Sequence, residues 1–217
     1  PDMTKAIIGY QNLIENAVTI TASAQTASGP ARQAWDGITT TYWEIPSAGT
    51  HTLTCIFGSP VAADYMGVFA HNLATAGALI KLQYSRDSGV TWRDSFTALQ
   101  LSDNYCGLKP FAIMVTTHWR VHITVTTAPL FIGVLQFGER LTPYRGMPMG
   151  FVLPADNRVT EIIPNRTESG AFAGRSVIPR GTETEIMINH VPGDWMRQHW
   201  RPFASLPIAR TGASAGA

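Results

Sequence analysis

The chain has 217 residues, is 45% hydrophobic and 14% charged, and carries a formal net charge of +1. An average globular domain is about 25% charged, so this chain is charge-poor yet has an ordinary apolar fraction, which excludes a disordered or membrane-like class. Without a clear excess of Lys and Arg, electrostatic binding to nucleic acid is also excluded as an expectation.

The first two-thirds reads as strands. Residues 17–22 alternate apolar with small polar side chains. Residues 51–57 alternate again and stop at Gly58-Ser59-Pro60. Tyr65 to Ala70 is a short apolar run containing Gly67. Residues 79–85 alternate and meet Arg86-Asp87-Ser88-Gly89, a strong turn signal. Residues 111–116 are β-branched and apolar. Residues 119–125 have period two, which puts His118, Arg120 and His122 on one side. Residues 130–137 are apolar around Gly133. Strands at this spacing, with no helical period of comparable length, predict an all-β antiparallel sandwich or jelly roll spanning residues 1–138.

Past Glu139 the texture changes. Residues 140–180 are broken by Pro and Gly, too often for a second core. Residues 182–188 read as one further strand. Residues 193–200 read as a short helix with Asp194 as its N-cap. The small-residue tail 211–217 is expected to be flexible. Residues 139–217 are therefore expected to be a largely irregular arm. It packs either on its own sandwich or on a neighbouring subunit.

The basic residues are unevenly distributed. Only Lys5, Lys81 and Lys109 are Lys, and the other 13 are Arg. Residues 1–138 carry seven basic and eight acidic side chains; residues 139–217 carry nine basic, all Arg, and seven acidic. Arg is enriched and Lys depleted at protein interfaces, so the arm reads as a gripping surface; a codon bias is the competing explanation. Two cysteines, Cys55 and Cys106, are too few for a disulfide scaffold. They read as two buried free thiols, or else as one bridge closing about fifty residues. No basic segment followed by an apolar run opens the chain, and no stretch approaches a membrane span. The expectation is a protein made and folded in a cytoplasm.

One constellation is specific. Ala31, Ala34, Asp36, Gly37, Thr41 and Trp43 form A-x-x-A-x-D-G-x-x-x-T-x-W. This resembles the first motif of discoidin-like, galactose-binding-like domains. Residues 82–92 are similar to that family's strand, turn and Trp, although Ser88 separates Asp87 from Gly89. Residues 118–123 and 131–138 sit where the family has its Arg-containing strand and its closing strand. The resemblance covers about residues 8–138 and implies a jelly-roll sandwich, with Trp43 and Trp92 filling the core under the turns. Extracellular members often staple the first and last strands with a disulfide; Cys55 and Cys106 do not sit at those ends. Some members bind calcium near the Asp36 turn, but a turn-stabilising Asp without metal is the favoured reading, and no cofactor is expected. In the arm, residues 137–141, 150–154, 168–176 and 194–203 resemble bacteriophage tail-tip or baseplate proteins, which attach a sandwich to an assembly arm.

Catalytic chemistry is nearly absent. His118 and His122 lie about 13 Å apart along one strand, too far for a single metal. His190 and His199 lack a partner at ligand spacing. There is no HExxH, G-x-S-x-G or G-x-x-x-x-G-K. Glu183 and Glu185 share a strand face and are expected to meet solvent or an Arg. The chain is thus not expected to be an enzyme. Trp35, Tyr42, Asn104 and Tyr105 fall in predicted loops, where rings beside an amide could stack on a sugar; covering the core edge is the alternative for Trp35 and Tyr42. Trp195 and Trp200, with Arg175, Arg180, Arg197 and Arg201, are candidates for an assembly interface, against packing within the chain. The resemblances imply a structural protein of a phage tail tip or baseplate, located in the virion and made in the host cytoplasm. Its expected partners are other tail proteins, copies of itself and host surface glycans, with no nucleic acid and no membrane insertion. The alternative is a carbohydrate-binding module or adhesin without a virion role.

Overall fold

The structure is a computed structural model that describes residues 7–144, 158–182 and 190–205, the side chains of 158–160 and 177–182 excepted. Contacts divide the chain into two compact units, one built around Ile7–Leu141 and the other around Thr142–Pro202.

Ten strands make up the first unit: β1 (Ile8–Gly9), β2 (Thr19–Ala22), β3 (Trp43–Ile45), β4 (Gly49–His71), β5 (Leu79–Ser85), β6 (Arg93–Asp94), β7 (Leu99–Gln100), β8 (Cys106–Val125), β9 (Leu130–Gly138) and β10 (Arg140–Leu141). All pairings are antiparallel, in the order β3-β9-β4-β8-β5-β6, with β2 also on β4 and β7 also on β5. β1 pairs separately with β10.

Where the sequence suggests four strands at 51–57, 65–70, 111–116 and 119–125, the structure has two long ones. β4 and β8 pair from Gly49↔Val125 to Phe69↔Cys106. The segment Gly58-Ser59-Pro60, which reads as a stop, is instead a bend. The register shifts between Ile56 and Val61 and again between Ala63 and Tyr65. A bulge of this kind turns a strand without ending it, and Pro is tolerated there because its missing N–H falls where the ladder is already interrupted. The ribbon thereby contributes to both layers of the sandwich. Its first part joins β2 and β5, and its second part joins β9.

Between the layers lies the core. Trp43, Trp119, Tyr65, Phe137, Leu53, Ile80, Leu82 and Ile123 are fully buried. The Trp119 ring packs 5.6 Å from Phe137 and 6.4 Å from Phe111. Burying an aliphatic side chain of this kind is worth about 1.5–3 kcal/mol. The alternation along β8 is as expected: Trp119, Val121 and Ile123 point inward, while His118, Arg120 and His122 are half-buried on the outer face.

Trp92 departs from expectation. It is half-buried at the surface, with the Arg120 guanidinium 4.3 Å above its ring, and is not a core residue. Cys55 and Cys106 are both free, but only Cys55 is buried; Cys106 is exposed at the edge where β8 begins.

The arm is more regular than its Pro and Gly content suggests. β11 (Arg158–Arg166) and β12 (Phe172–Thr182) form an antiparallel hairpin whose register shifts at Val159/Thr160 and Asn165/Arg166. The Pro residues sit within it opposite one another's strand, Pro164 facing Arg175 and Pro179 facing Thr160. Ile162, Ile163 and Phe172 are exposed. A helical segment follows as Gly193–Trp195, a π-helical turn Met196–Trp200, and Arg201–Ser205. Asp194 is not its N-cap: Pro192 holds that position, and Asp194 pairs with Arg197 one turn on. Of the strand expected over 182–188, Thr182 closes β12; the rest, with Glu183 and Glu185, lies outside the described residues, as does the tail 211–217.

Candidate functional site

Several loops meet at one end of the sandwich. The segment before β3 starts with the turn Ala31–Ala34, whose first N–H donates to Gln25 Oε1 at 2.8 Å. Asp36 then folds the next turn on itself. Its Oδ1 accepts the Ile38 N–H at 2.8 Å, its Oδ2 accepts the Thr41 hydroxyl at 2.9 Å, and Gly37 takes φ +75°. That conformation suits Gly, which has no Cβ to clash. Both carboxylate oxygens are thus engaged in a turn. Among the described residues no three His, Cys, Asp or Glu side chains converge on a point that could hold a metal ion.

Trp35 is half-buried with its indole against the core, and it lines a cleft of about 480 Å³ with Arg32, Gln33, Asp36 and Thr41. Tyr42 is 43% exposed and stands edge-on to Phe131 at 4.8 Å. Tyr42 therefore covers the rim of the core and does not line the cleft.

A second cleft, of about 530 Å³, is lined by Ala74, Thr75, Ser102, Asp103, Asn104 and Tyr105. Asn104 ties its two walls together. Its Oδ1 accepts the backbone N–H groups of Ala74 at 3.0 Å and Thr75 at 3.3 Å, and its Nδ2 donates to Thr75 Oγ1 at 2.7 Å. Most of the Asn104 amide is thereby spent on holding the loop. Tyr105 is 82% exposed, and its ring makes no aromatic or cation contact among the described residues.

Asn72 links the two clefts. Its Oδ1 accepts the Phe131 N–H at 2.7 Å and its Nδ2 donates to the Pro129 carbonyl at 3.0 Å. Phe131 carries Tyr42, and Asn72 leads into the turn that Asn104 clamps. Beside it His71 is buried. Its Nδ1 accepts the Leu73 N–H at 3.3 Å and its Nε2 has no partner among the described residues. Burial lowers the His71 pKa, and the Asp103 charge opposes this only in part, so the imidazole is neutral at neutral pH. Asn72, His71, Arg32, Gln33, Thr75 and Asp103 belong to this end of the molecule without having been singled out in the sequence. Their placement depends on partners far along the chain.

The outer face of β5 and β8 carries a closed polar network. Arg120 Nε and Nη2 donate to Gln83 Oε1 at 2.9 and 2.6 Å, Gln83 Nε2 donates to Asp94 Oδ1 at 2.6 Å, and Lys81 Nζ reaches Asp94 Oδ2 at 2.9 Å. Burial alone would raise the Asp94 carboxyl, but the Gln83 and Lys81 bonds outweigh it and hold the group below its usual range. The partners satisfy one another, which makes this a structural network.

Of the expected interface residues, Arg175 is exposed on β12 and Arg201 on the helical segment, while the Arg180 side chain lies outside the described residues. Arg197 pairs with Asp194. Trp195 packs within the chain, 6.4 Å from the Tyr144 ring and 5.7 Å from His199, and Trp200 is half-buried.

No protein-family profile matches the chain, and no curated protein matches it. Solved structures do. Chitosan-binding module 1 of a chitosanase/glucanase from Paenibacillus sp. IK-5 is 24% identical with a TM-score of 0.51, covering 59% of this chain and 99% of the module. Module 2 of the same enzyme, in complex with chitotriose, is 22% identical with a TM-score of 0.50, covering 59% and 100%. CpGH89CBM32-5 from Clostridium perfringens, in complex with GalNAc-β-1,3-galactose, is 14% identical with a TM-score of 0.50, again covering 59% and 100%. At these identities the likeness is one of architecture. The sandwich of this chain has the fold of carbohydrate-binding modules.

Proposed function

We propose that this chain is a non-catalytic carbohydrate-binding protein that holds its ligand at the loop end of the sandwich. The observation that carries the reading is the pair of clefts there, each with one aromatic ring beside polar side chains, among them the hydrogen-bonded pairs Asp36–Thr41 in one and Asn104–Thr75 in the other. Trp35 is locked against the core and offers an indole face to the apolar side of a pyranose, with Arg32, Gln33 and Thr41 as hydrogen-bonding partners for its hydroxyls. In the second cleft the exposed ring of Tyr105 is the stacking surface, without the core packing that holds Trp35. Fixing such groups before the ligand arrives reduces the ordering cost of binding. The ligands of the similar modules, chitotriose and GalNAc-β-1,3-galactose, support a saccharide as the ligand class. A glycan array tests the reading. Specific binding that falls about tenfold or more on Trp35→Ala or Tyr105→Ala, a loss of about 1.4 kcal/mol, is the expected result. A folded protein that binds no glycan would refute it.

A second reading concerns residues 139–217: they join the chain to neighbouring copies or to other tail proteins in a phage tail tip or baseplate, while residues 1–138 carry the sugar site. It is favoured by the β11–β12 hairpin, which exposes Ile162, Ile163 and Phe172. A two-stranded hairpin alone is marginal in water and gains stability once another surface covers it. Sedimentation of the purified protein distinguishes the cases. Self-association, or capture of tail proteins, that is lost on Phe172→Asp supports assembly; a monomer with no affinity for other virion proteins removes it.

A further inference from the structure

Resting on the loop-end reading above, we infer that His71 is a proton-sensitive latch for the Tyr105 cleft: the neutral imidazole holds one wall in place, and protonation releases that wall and weakens binding there. His71 ends β4 and leads into the turn 72–78, whose Ala74 and Thr75 line the cleft. Its ring folds back on that turn, Nδ1 accepting the Leu73 N–H at 3.3 Å. A neutral ring that accepts at Nδ1 carries its hydrogen on Nε2. That nitrogen is buried and has no partner among the described residues, so any opening that lets it reach water is favoured. The backbone is strained at the same point. Ala70, immediately before, takes φ +51°, a left-handed conformation disfavoured for a residue with a Cβ.

Protonation places a hydrogen on Nδ1, so the Leu73 N–H loses its acceptor and faces a donor. The turn is then untied at its base, next to the Ala74 and Thr75 N–H groups that Asn104 holds from the opposite wall. The turn 72–78 and β9, which pairs with His71 at Ile132, carry no titratable side chain, and β8 begins with Cys106 opposite Phe69. The opposite wall supplies the Tyr105 phenol and Asp103, the one charge acting on the ring. Asp103 attracts a protonated imidazole without outweighing burial, so the closed state holds the ring below the ordinary 6.5. Opening removes the burial. The latch is therefore fully closed above about 6.5 and loosens as pH falls from there, by at most about tenfold per pH unit for one proton. The Trp35 cleft has no histidine in its lining.

The test is amide hydrogen exchange of the full chain, read by NMR as protection relative to the intrinsic rate. Between about pH 7.5 and about pH 5.5, protection at Leu73, Ala74 and Thr75 is expected to fall about tenfold, and these amides should exchange faster than Val121 and Ile123 in the sheet. His71→Asn offers an oxygen to the Leu73 N–H in place of Nδ1 and does not titrate, so it should abolish the fall. No fall in the wild type, an equal fall in His71→Asn, or turn amides as protected as Val121 and Ile123 each overturn the inference. A glycan array at the same two pH values reads the consequence for binding. Ligands that depend on Tyr105 should weaken about tenfold in acid, and those that depend on Trp35 should not. Tyr105-dependent binding that ignores pH, or binding that depends on Trp35 alone, overturns the inference and leaves the loop-end site standing. If no glycan binds at either pH, both fall.

Discussion

Arg120 lies over Trp92, its guanidinium carbon 4.3 Å from the ring centroid, while two of its nitrogens share the Gln83 side-chain oxygen. The contact ties the β6 edge to the middle of the sheet, since Gln83 also holds Asp94. Arg120→Ala removes the stacking and leaves Gln83 Oε1 without its donors, and should destabilise the protein by about 1–2 kcal/mol. Arg120→Lys should recover less than half of this, because an ammonium cannot reproduce the planar fork. Thermal or chemical unfolding measures both; an unchanged midpoint in Arg120→Ala would show that the network contributes nothing.

The two thiols should react very differently. Burial pushes the Cys55 pKa up to about 12, and its side chain is inaccessible, whereas Cys106 is exposed. A thiol reagent at neutral pH is expected to modify one cysteine per native chain, Cys106, and the second only on unfolding. Mass spectrometry of the labelled peptides reads the result, and rapid native labelling of Cys55 would contradict the burial.

Acid should weaken the fold through two histidines. Burial lowers the pKa of both His71 and His122 from the ordinary 6.5, with Lys81 and Arg120 adding to the effect at His122. The unfolded chain then binds protons that the folded chain does not. Stability is complete above about 6.5 and declines as pH falls from there towards the folded values. His122→Gln and His71→Asn should each flatten the profile in that window. Urea midpoints across mildly acidic pH measure the slope, and a wild-type profile that is flat or rises on acidification would be inconsistent with it.

The Asp36 turn should not depend on metal. With one oxygen on the Ile38 N–H and the other on the Thr41 hydroxyl, the loop is closed by its own side chain. Chelator is expected to leave the melting temperature unchanged, and Asp36→Ala to lower stability by about 1 kcal/mol, the usual worth of such a bond. A clear drop in melting temperature on chelation, restored by calcium, would instead show a cation at this turn.

How far the sequence discloses these features depends on how local their causes are. The Asp36-Gly37 turn and the alternation around Trp119 are local, and both are visible in the residues themselves. Trp92 is not, because its partner Arg120 arrives from another strand and draws the indole to the surface. β4 looks broken at Gly58-Ser59-Pro60, since nothing local distinguishes a bend within a paired ribbon from a stop. The loop-end site is half visible. Trp35 and Tyr105 stand out as aromatics between strands, whereas Asn104 acts on a backbone 30 residues away and Asn72 on one 59 away. Those distances also explain why Asn104 looks like a ligand-binding group but serves chiefly as a clamp.

The continuous β4–β8 ribbon has a consequence for assembly of the molecule itself. Because the same two strands run through both layers, neither layer has a complete set of neighbours without the other. Pairing Gly49 with Val125 requires most of the sandwich to have been synthesised, and such distant closures are slow, on the order of milliseconds to seconds. A chain cut anywhere before residue 125 should yield no half-built sandwich, only an unstructured polypeptide.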